Sequence, residues 1–264
     1  AIHDLDARWS KLSDAGDTRV ELVDEMTHLT LDIVGRTLFG LDLAEVSDEL
    51  APALGDALEV FNRTLNPSWE LLSRYPSKPR RQLTSAVDRM DAVVARMIQQ
   101  KRAALADGVE VTDMMSSLIT ATDPETGAQL DDNEIRDETM TLLLAGHETT
   151  SMLLSWTWLL LFQNPQWKDW VAQEWDDTAA TTMADVAHLP RTRAVLAEVL
   201  RLRPPAWVMD RFSVADLVVG DYVVPRGETV LASQYWMHRD PRYWPDADDF
   251  RPDRWLDDAG AFTD

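Results

Sequence analysis

Apolar residues recur at three- and four-residue spacings through most of the chain, which is the period of amphipathic helices. Prolines, glycines and polar turn residues end these runs, because proline lacks an amide donor and glycine has low helical propensity. The pattern predicts helices over 18–39, 48–64, 80–106, 112–121, 165–177 and 190–202. It also predicts a long helix that Asp131 or Asp132 caps and that carries the apolar run 141–162.

The period changes after Pro204 and Pro205, where short β-branched runs begin. The runs Leu217–Val219, Tyr222–Val224 and Thr229–Ala232 are separated only by turn sequences. They predict one small antiparallel sheet, followed by ordered coil. No flexible linker interrupts the chain, so we predict a mainly α fold with a small antiparallel β-sheet, in a single domain over 1–264.

Charge and cysteine content exclude several kinds of function. The chain has 46 acidic and 25 basic residues, a formal charge of -21, so contact with nucleic acid or an anionic bilayer would oppose its overall field. It has no cysteine, which excludes disulfides and cysteine-ligated metals within these residues. No leader is visible, and polar residues interrupt the apolar run, so we expect a cytoplasmic protein without a membrane span.

The long apolar helix contains a group of small and polar residues at 145–150. Ala145 and Gly146 precede Thr149 by four and three residues, so they share its helix face and leave a groove there. The Thr149 hydroxyl can bond the Ala145 carbonyl, and the neighbouring Glu148 carboxyl suits proton delivery. The alternative is close helix–helix packing at Gly146 with Glu148 exposed to solvent.

Glu198 and Arg201 lie one turn apart on the helix that Pro204 ends. A Glu-x-x-Arg pair alone carries little information, since chance produces one in about two of three chains of this composition. It forms either a surface ion pair or part of a buried network, which needs further partners. Arg254 is the candidate partner, in a coil that Phe250 and Trp255 anchor.

The order of these segments resembles the cytochrome P-450 family of haem-thiolate monooxygenases. Three motifs follow one another along about 20–258: AGHETT, EVLRLRPP and HRDPRYWPDADDFRPDRW. The segment 123–151 is similar to self-sufficient bacterial fatty-acid hydroxylases of that family. The resemblance implies a truncated cytochrome P-450 fold.

The resemblance also implies roles for individual residues. Thr149 and Glu148 would be catalytic, with Glu148 relaying protons to oxygen bound at the haem iron and Thr149 stabilising it. Ala145 and Gly146 would form the oxygen groove beside the haem, and Arg211 would bind a haem propionate. The alternative for Arg211 is a solvated arginine at a strand edge. A buried ion network of structural role would join Glu198, Arg201 and Arg254.

Haem is therefore the implied cofactor, but the axial cysteine of the family is absent from this chain. The resemblance places that cysteine roughly two dozen residues after Arg254, and the chain ends ten residues after Arg254. We expect a fragment that lacks both the amino-terminal region and the cysteine loop. We expect this fragment to bind haem weakly and to be inactive alone; a degenerate, haem-free relative is the alternative.

The implied activity is insertion of one oxygen atom from O2 into an apolar substrate, for which a fatty acid is the first candidate. Electrons would come from NAD(P)H through a flavoprotein reductase or a ferredoxin. The competing interpretation is a haem-free helical module that binds a lipid or another hydrophobic partner.

Overall fold

The computed structural model describes residues 1–16, 19–40, 53, 55–56, 78–109, 113–178, 180 and 182–263. Its α-helices are α1 Ile2–Asp14, α2 Leu22–Leu38, α3 Lys78–Ala106, α4 Met114–Thr120, α5 Asp132–Gln163, α6 Pro165–Asp177, α7 Pro190–Leu202 and α8 Gln234–Met237. Two short 3-10 helices span Met183–His188 and Pro252–Trp255.

The predicted helices in the described residues are confirmed, two of them with identical bounds, at 165–177 and 190–202. The helix predicted over 48–64 lies outside the described residues, apart from 53 and 55–56. The sequence pattern missed α1 and the four-residue α8. None of the described helices is both long and apolar enough to cross a bilayer.

Local chemistry explains where the accurately predicted helices begin. Pro165 and Pro190 occupy the first helical position, where a missing amide costs nothing and the fixed φ favours the helix. At the start of α5, the carboxylate of Asp131 accepts from the amides of Asn133 and Glu134 at 2.8 and 2.9 Å. The Glu134 carboxylate accepts from the Asp131 amide at 2.8 Å, so Asp131 is the capping residue.

The chain divides into two compact units, an amino-terminal unit Ala1–Ser151 and a carboxy-terminal unit Met152–Asp264. The core of the first unit includes Leu31, Val34, Met90, Val93, Val94, Met97, Met115, Ile135 and Leu143. The core of the second includes Leu160, Leu161, Val171, Val195, Val199, Leu202 and Phe250. That the whole chain forms one domain stays a prediction.

The described strands form two small antiparallel sheets where the sequence predicted one. β2 Leu217–Val219 and β3 Tyr222–Val224 form the expected hairpin, with Gly220 at φ 60° in its turn. β4 Thr229–Ala232 does not join them: it pairs with β1 Met209–Phe212, which the pattern missed. Backbone bonds between Ser213 and residues 227–228 continue that pairing and draw β4 away from the hairpin.

Candidate functional site

The small and polar residues 145–150 lie within α5, in the amino-terminal unit. The Thr149 hydroxyl donates to the Ala145 carbonyl at 2.7 Å, as the four-residue spacing predicts. Thr150 makes the equivalent bond to the Gly146 carbonyl at 2.8 Å. Two adjacent threonines therefore share one local bonding pattern while pointing in directions about 100° apart around the helix.

Ala145 and Thr149 are exposed on one face of α5, and Glu148 beside them is half-buried. The Glu148 carboxyl makes no hydrogen bond or ion pair with any residue that the structure describes. Its partial burial raises its pKa above that of an ordinary glutamic acid, because desolvation disfavours the charged form. The face therefore presents a small side chain, a hydroxyl and a carboxyl group that retains its proton more readily than a solvated one.

Gly146 turns toward α2 and allows the two helices to approach closely. A Cβ atom added there would lie 3.2 Å from Cγ2 of Val34, a contact that only displacement of the valine would relieve. The packing role that the sequence left open for Gly146 is therefore present, whereas Glu148 is half-buried and not fully exposed. The role of Gly146 in an oxygen groove stays a prediction.

His147 is buried between Gly146 and Glu148, also on the side of α5 near α2. Burial lowers the pKa of its imidazole; the Thr27 carbonyl opposes this shift, and the charge of His28 adds to it. Neither ring nitrogen makes a hydrogen bond of ordinary geometry with a described residue. His147 is therefore held in its neutral form against α2 near neutral pH.

The structure brings Glu198, Arg201 and Arg254 together in the carboxy-terminal unit. Glu198 and Arg201 are completely buried, and Arg201 donates through Nε and Nη2 to the two carboxylate oxygens at 2.8 and 2.9 Å. Nε of Arg254 donates to Oε1 of Glu198 at 3.2 Å. The Glu-x-x-Arg pair is thus the centre of a buried network and not a surface ion pair.

The remaining partners of this network come from the coil after α8. Oε2 of Glu198 accepts from Nε1 of Trp255 at 2.9 Å, and Oε1 accepts from the amide of Arg251 at 2.9 Å. The guanidinium of Arg201 also donates to the carbonyls of His238, Ala247 and Asp249. These contacts fasten residues 238–255 onto α7. The sequence marked Trp255 as an anchor but gave no sign of its bond to Glu198.

Arg211 lies on β1, opposite Val230 of β4, and its side chain is exposed. Its Nη1 donates to the carbonyl of Asp210 at 2.7 Å, and no ion pair joins it to a described residue. Most of its donors therefore face solvent, where they are available to an anionic group. Arg211 and the Glu198 network belong to the carboxy-terminal unit, and residues 145–149 belong to the amino-terminal unit.

Comparison with known proteins gives close and extensive matches. The chain is 37% identical over 242 residues to cyclooctatin synthase of Streptomyces melanosporofaciens, covering 90% of this chain and 52% of that protein. It is 34% identical over 245 residues to cyclooctat-9-en-7-ol 5-monooxygenase of the same organism, covering 90% and 52%.

A third relative is the bifunctional cytochrome P450/NADPH–P450 reductase 2 of Bacillus subtilis, which is 34% identical over 259 residues and covers 95% of this chain and 24% of that protein. The chain thus spans about half the length of the first two relatives. The family model described as Cytochrome P450 matches residues 1–264. This chain therefore belongs to the cytochrome P450 family.

Proposed function

We propose that the protein containing this chain is a haem-dependent monooxygenase that inserts one oxygen atom from O2 into an apolar organic substrate. The observation that carries the proposal is the exposed Ala145–Thr149 face of α5, with the half-buried Glu148 carboxyl beside it, in a chain of this family. Family membership also favours this enzyme over the haem-free binding module.

The residues present fit the distal side and the periphery of a haem. Ala145 carries only a methyl group beside the exposed Thr149 hydroxyl, so a flat macrocycle can approach that face of α5, whereas Gly146 is turned toward α2. The exposed guanidinium of Arg211 suits a haem carboxylate, because its planar donors match two carboxylate oxygens. The axial thiolate of the family is not among these 264 residues, which contain no cysteine. A bound haem supplies the iron at which O2 is activated.

Thr149 is proposed to accept hydrogen bonds at its hydroxyl oxygen in this reaction. Its hydroxyl hydrogen is engaged by the Ala145 carbonyl, which leaves the oxygen lone pairs directed away from the helix backbone. Glu148 is proposed to hold and deliver protons at its carboxyl oxygens. A raised pKa brings that group closer to the working pH, where an acid can both give up and recover a proton.

The ion network is proposed to act structurally on the proximal side of the haem. Glu198 and Arg201 fix the coil 238–255 against α7 through bonds to side chains and carbonyls. A network whose donors and acceptors are all satisfied holds one arrangement, because any displacement leaves a buried charge unpaired.

The substrate and electron source are proposed from the relatives. One relative is named for oxidation of cyclooctat-9-en-7-ol, an unsaturated alcohol by its name, and another is named as a fusion with an NADPH–P450 reductase. We propose an apolar substrate, of fatty-acid or cyclic-hydrocarbon type. NADPH is the proposed electron source, through a flavoprotein reductase or a ferredoxin. The cytoplasmic location stays a prediction.

The test uses the whole protein that contains this chain, with and without the Thr149→Ala substitution. Product and NADPH consumption are measured with a long-chain fatty acid and with a cyclic hydrocarbon alcohol. We expect product per NADPH to fall roughly tenfold or more in Thr149→Ala. Thr150→Ala is the matched control, since it removes the same kind of bond to a carbonyl four residues earlier.

A protein that takes up no haem would contradict the proposed activity. An equal fall of product per NADPH in Thr149→Ala and Thr150→Ala would contradict only the role proposed for Thr149. For Arg211, we expect Arg211→Gln to retain haem less well than Arg226→Gln, which removes an exposed arginine elsewhere in the same unit.

A further inference from the structure

A cavity of about 480 Å³ in the carboxy-terminal unit belongs to none of the groups described above. The carboxy-terminal ends of α5 and α7, the helix α8 and residues 248–250 form its walls. Two arginines line it, Arg203 immediately after α7 and Arg239 two residues after the end of α8. Two carboxylates, Asp248 and Asp249, also line the cavity, so its formal charge is balanced, and what distinguishes it is how far each arginine is paired.

Arg203 is the less satisfied of the two arginines. Its guanidinium lies over the ring of Trp156, with the central carbon 4.8 Å from the ring centroid. Its Nε is buried and has no hydrogen-bond partner among the described residues. No described carboxylate forms an ion pair with it either. An arginine remains charged at any physiological pH, so a guanidinium without an ion-pair partner at a cavity is available to an anion.

Arg239 lines the cavity, and each of its three guanidinium nitrogens has a partner, including the Tyr235 carbonyl, which lies 3.3 Å from Nη1. Its Nη2 donates to the Leu202 carbonyl at 2.6 Å, and its guanidinium lies 3.8 Å from the centroid of the Tyr235 ring. Burial lowers its pKa, and the positive charge of Arg203 acts in the same direction. Its acidic partner is Asp248, whose Oδ1 lies 3.4 Å from Nε and whose side chain is 87% exposed.

We propose that this cavity binds a small oxyanion, a carboxylate or phosphate group, through the guanidinium groups of Arg203 and Arg239. Guanidinium groups present parallel donors that match the oxygens of both anions. The bound oxygens would give the guanidinium of Arg203 the anionic partner that it lacks among the described residues. They would also displace the exposed Asp248 carboxylate, which competes for Arg239 at the rim of the cavity.

The test measures the ¹⁵N resonances of the arginine Nε groups in the purified chain during titration with inorganic phosphate, and separately with acetate. Sodium chloride keeps the ionic strength constant. We expect the Arg203 Nε resonance to shift and reach saturation with phosphate, acetate or both. The anion that binds more tightly identifies the class of ligand. Arg203→Gln should weaken binding by about tenfold or more.

Two further variants keep the test decisive. Arg226→Gln removes an exposed arginine that does not line the cavity, and we expect it to bind the anion as the unmodified chain does. Asp248→Asn removes the competing carboxylate at an exposed position, so we expect binding to tighten by about two- to threefold. If Arg203→Gln fails to fold, the anion affinity of Asp248→Asn tests the proposal instead.

The proposal is overturned if chloride produces the same shifts, if no resonance saturates, or if Arg203→Gln binds as tightly as Arg226→Gln. Unchanged affinity in Asp248→Asn would also overturn it, since the cavity would then not be the place of binding.

Discussion

The guanidinium of Arg201 and the carboxylate of Glu198 form a two-point ion pair, with N–O distances of 2.8 and 2.9 Å, at a place that solvent does not reach. Arg201 uses its remaining donors on the carbonyls of His238, Ala247 and Asp249. The ring of Trp244 covers the guanidinium, 5.1 Å from its central carbon. The pair thus connects α7 with a coil that has little regular structure of its own.

We expect Arg201→Lys to destabilise the carboxy-terminal unit by about 1–3 kcal/mol. A lysine ammonium cannot reproduce the two parallel bonds to Glu198 together with three carbonyl contacts, so buried acceptors lose their donors. Urea unfolding followed by tryptophan fluorescence measures the change. Arg254→Lys is the comparison, and we expect a smaller loss because its side chain is 12% exposed. Equal unfolding midpoints for Arg201→Lys and the unmodified chain would contradict the prediction.

Glu174 of α6 caps the start of α7. Its buried carboxylate accepts from the amides of Arg191 and Thr192 at 2.7 and 2.9 Å, and from the Thr192 hydroxyl at 2.7 Å. We expect Glu174→Ala to lower the free energy of unfolding by about 1–3 kcal/mol, because three partly buried donors lose their acceptor. Hydrogen exchange at the Arg191 and Thr192 amides should accelerate. Asp176→Asn, an exposed change on the same helix, should leave both amides protected.

Glu148 should make stability depend on pH in a direction opposite to that of ordinary paired acids. Its folded pKa is raised by burial, so between the ordinary value of 4.5 and the raised value the folded state holds more protons than the unfolded state. Stability should therefore fall as pH rises through that interval. We expect Glu148→Gln to remove this dependence in urea titrations from pH 4 upward. Glu138→Gln, exposed on the same helix, should retain it.

Lys101 and Asp113 form a second buried ion pair, in the amino-terminal unit, with Nζ 2.6 Å from Oδ2 and both side chains under a tenth exposed. Burial alone would raise the pKa of Asp113, but hydrogen bonds from Lys101 and Ser116 outweigh it and lower the pKa below 3.8. Lys101→Met should destabilise by about 3–5 kcal/mol near neutral pH, because the carboxylate stays buried without its cation. The loss should shrink as pH falls from the raised pKa of Asp113 in the variant to its lowered pKa in the unmodified chain, because over this interval the variant carboxyl is protonated while the paired one is still charged. A loss that is independent of pH would contradict this account.

Gly40 next to this pair has no room for a side chain. Its φ is +59°, and a Cβ atom would lie 2.8 Å from Oδ2 of Asp113. We expect Gly40→Ala to destabilise by more than about 1 kcal/mol, since backbone strain and a clash with a fixed carboxylate combine. Gly108→Ala is the matched control: it has φ +76° but meets nothing within 4 Å. Thermal unfolding should separate the two variants, and equal melting temperatures would show that the clash is absent.

Helix positions could be predicted where the signal is local. The helix-starting effects of Pro165, Pro190 and Asp131 involve only backbone groups within one turn, so the local sequence is enough to predict them. The bond from Thr149 to the Ala145 carbonyl has the same origin, since four residues is one helical turn.

The sheet pairing could not be predicted in the same way. β2 and β3 form the expected hairpin because two residues join them, whereas β4 finds its partner β1 about twenty residues back along the chain. Whether β4 pairs with β1 or with β3 depends on the direction in which the hairpin of β2 and β3 leaves the other two strands. No local sequence pattern determines that direction.

The sequence by itself determined the helical class, the helix ends that proline and aspartate set, and the ordered motifs that carry the resemblance to one family. The helices and their ends follow from interactions within one helical turn, and the motifs follow from the identity and order of the residues. Only the tertiary structure decided that Trp255 and the Arg251 amide share Glu198, that Glu174 caps α7, and that Arg203 and Arg239 meet at one cavity. Residues far apart in sequence come together only when apolar faces pack, and a buried polar group then takes whichever partner that packing provides.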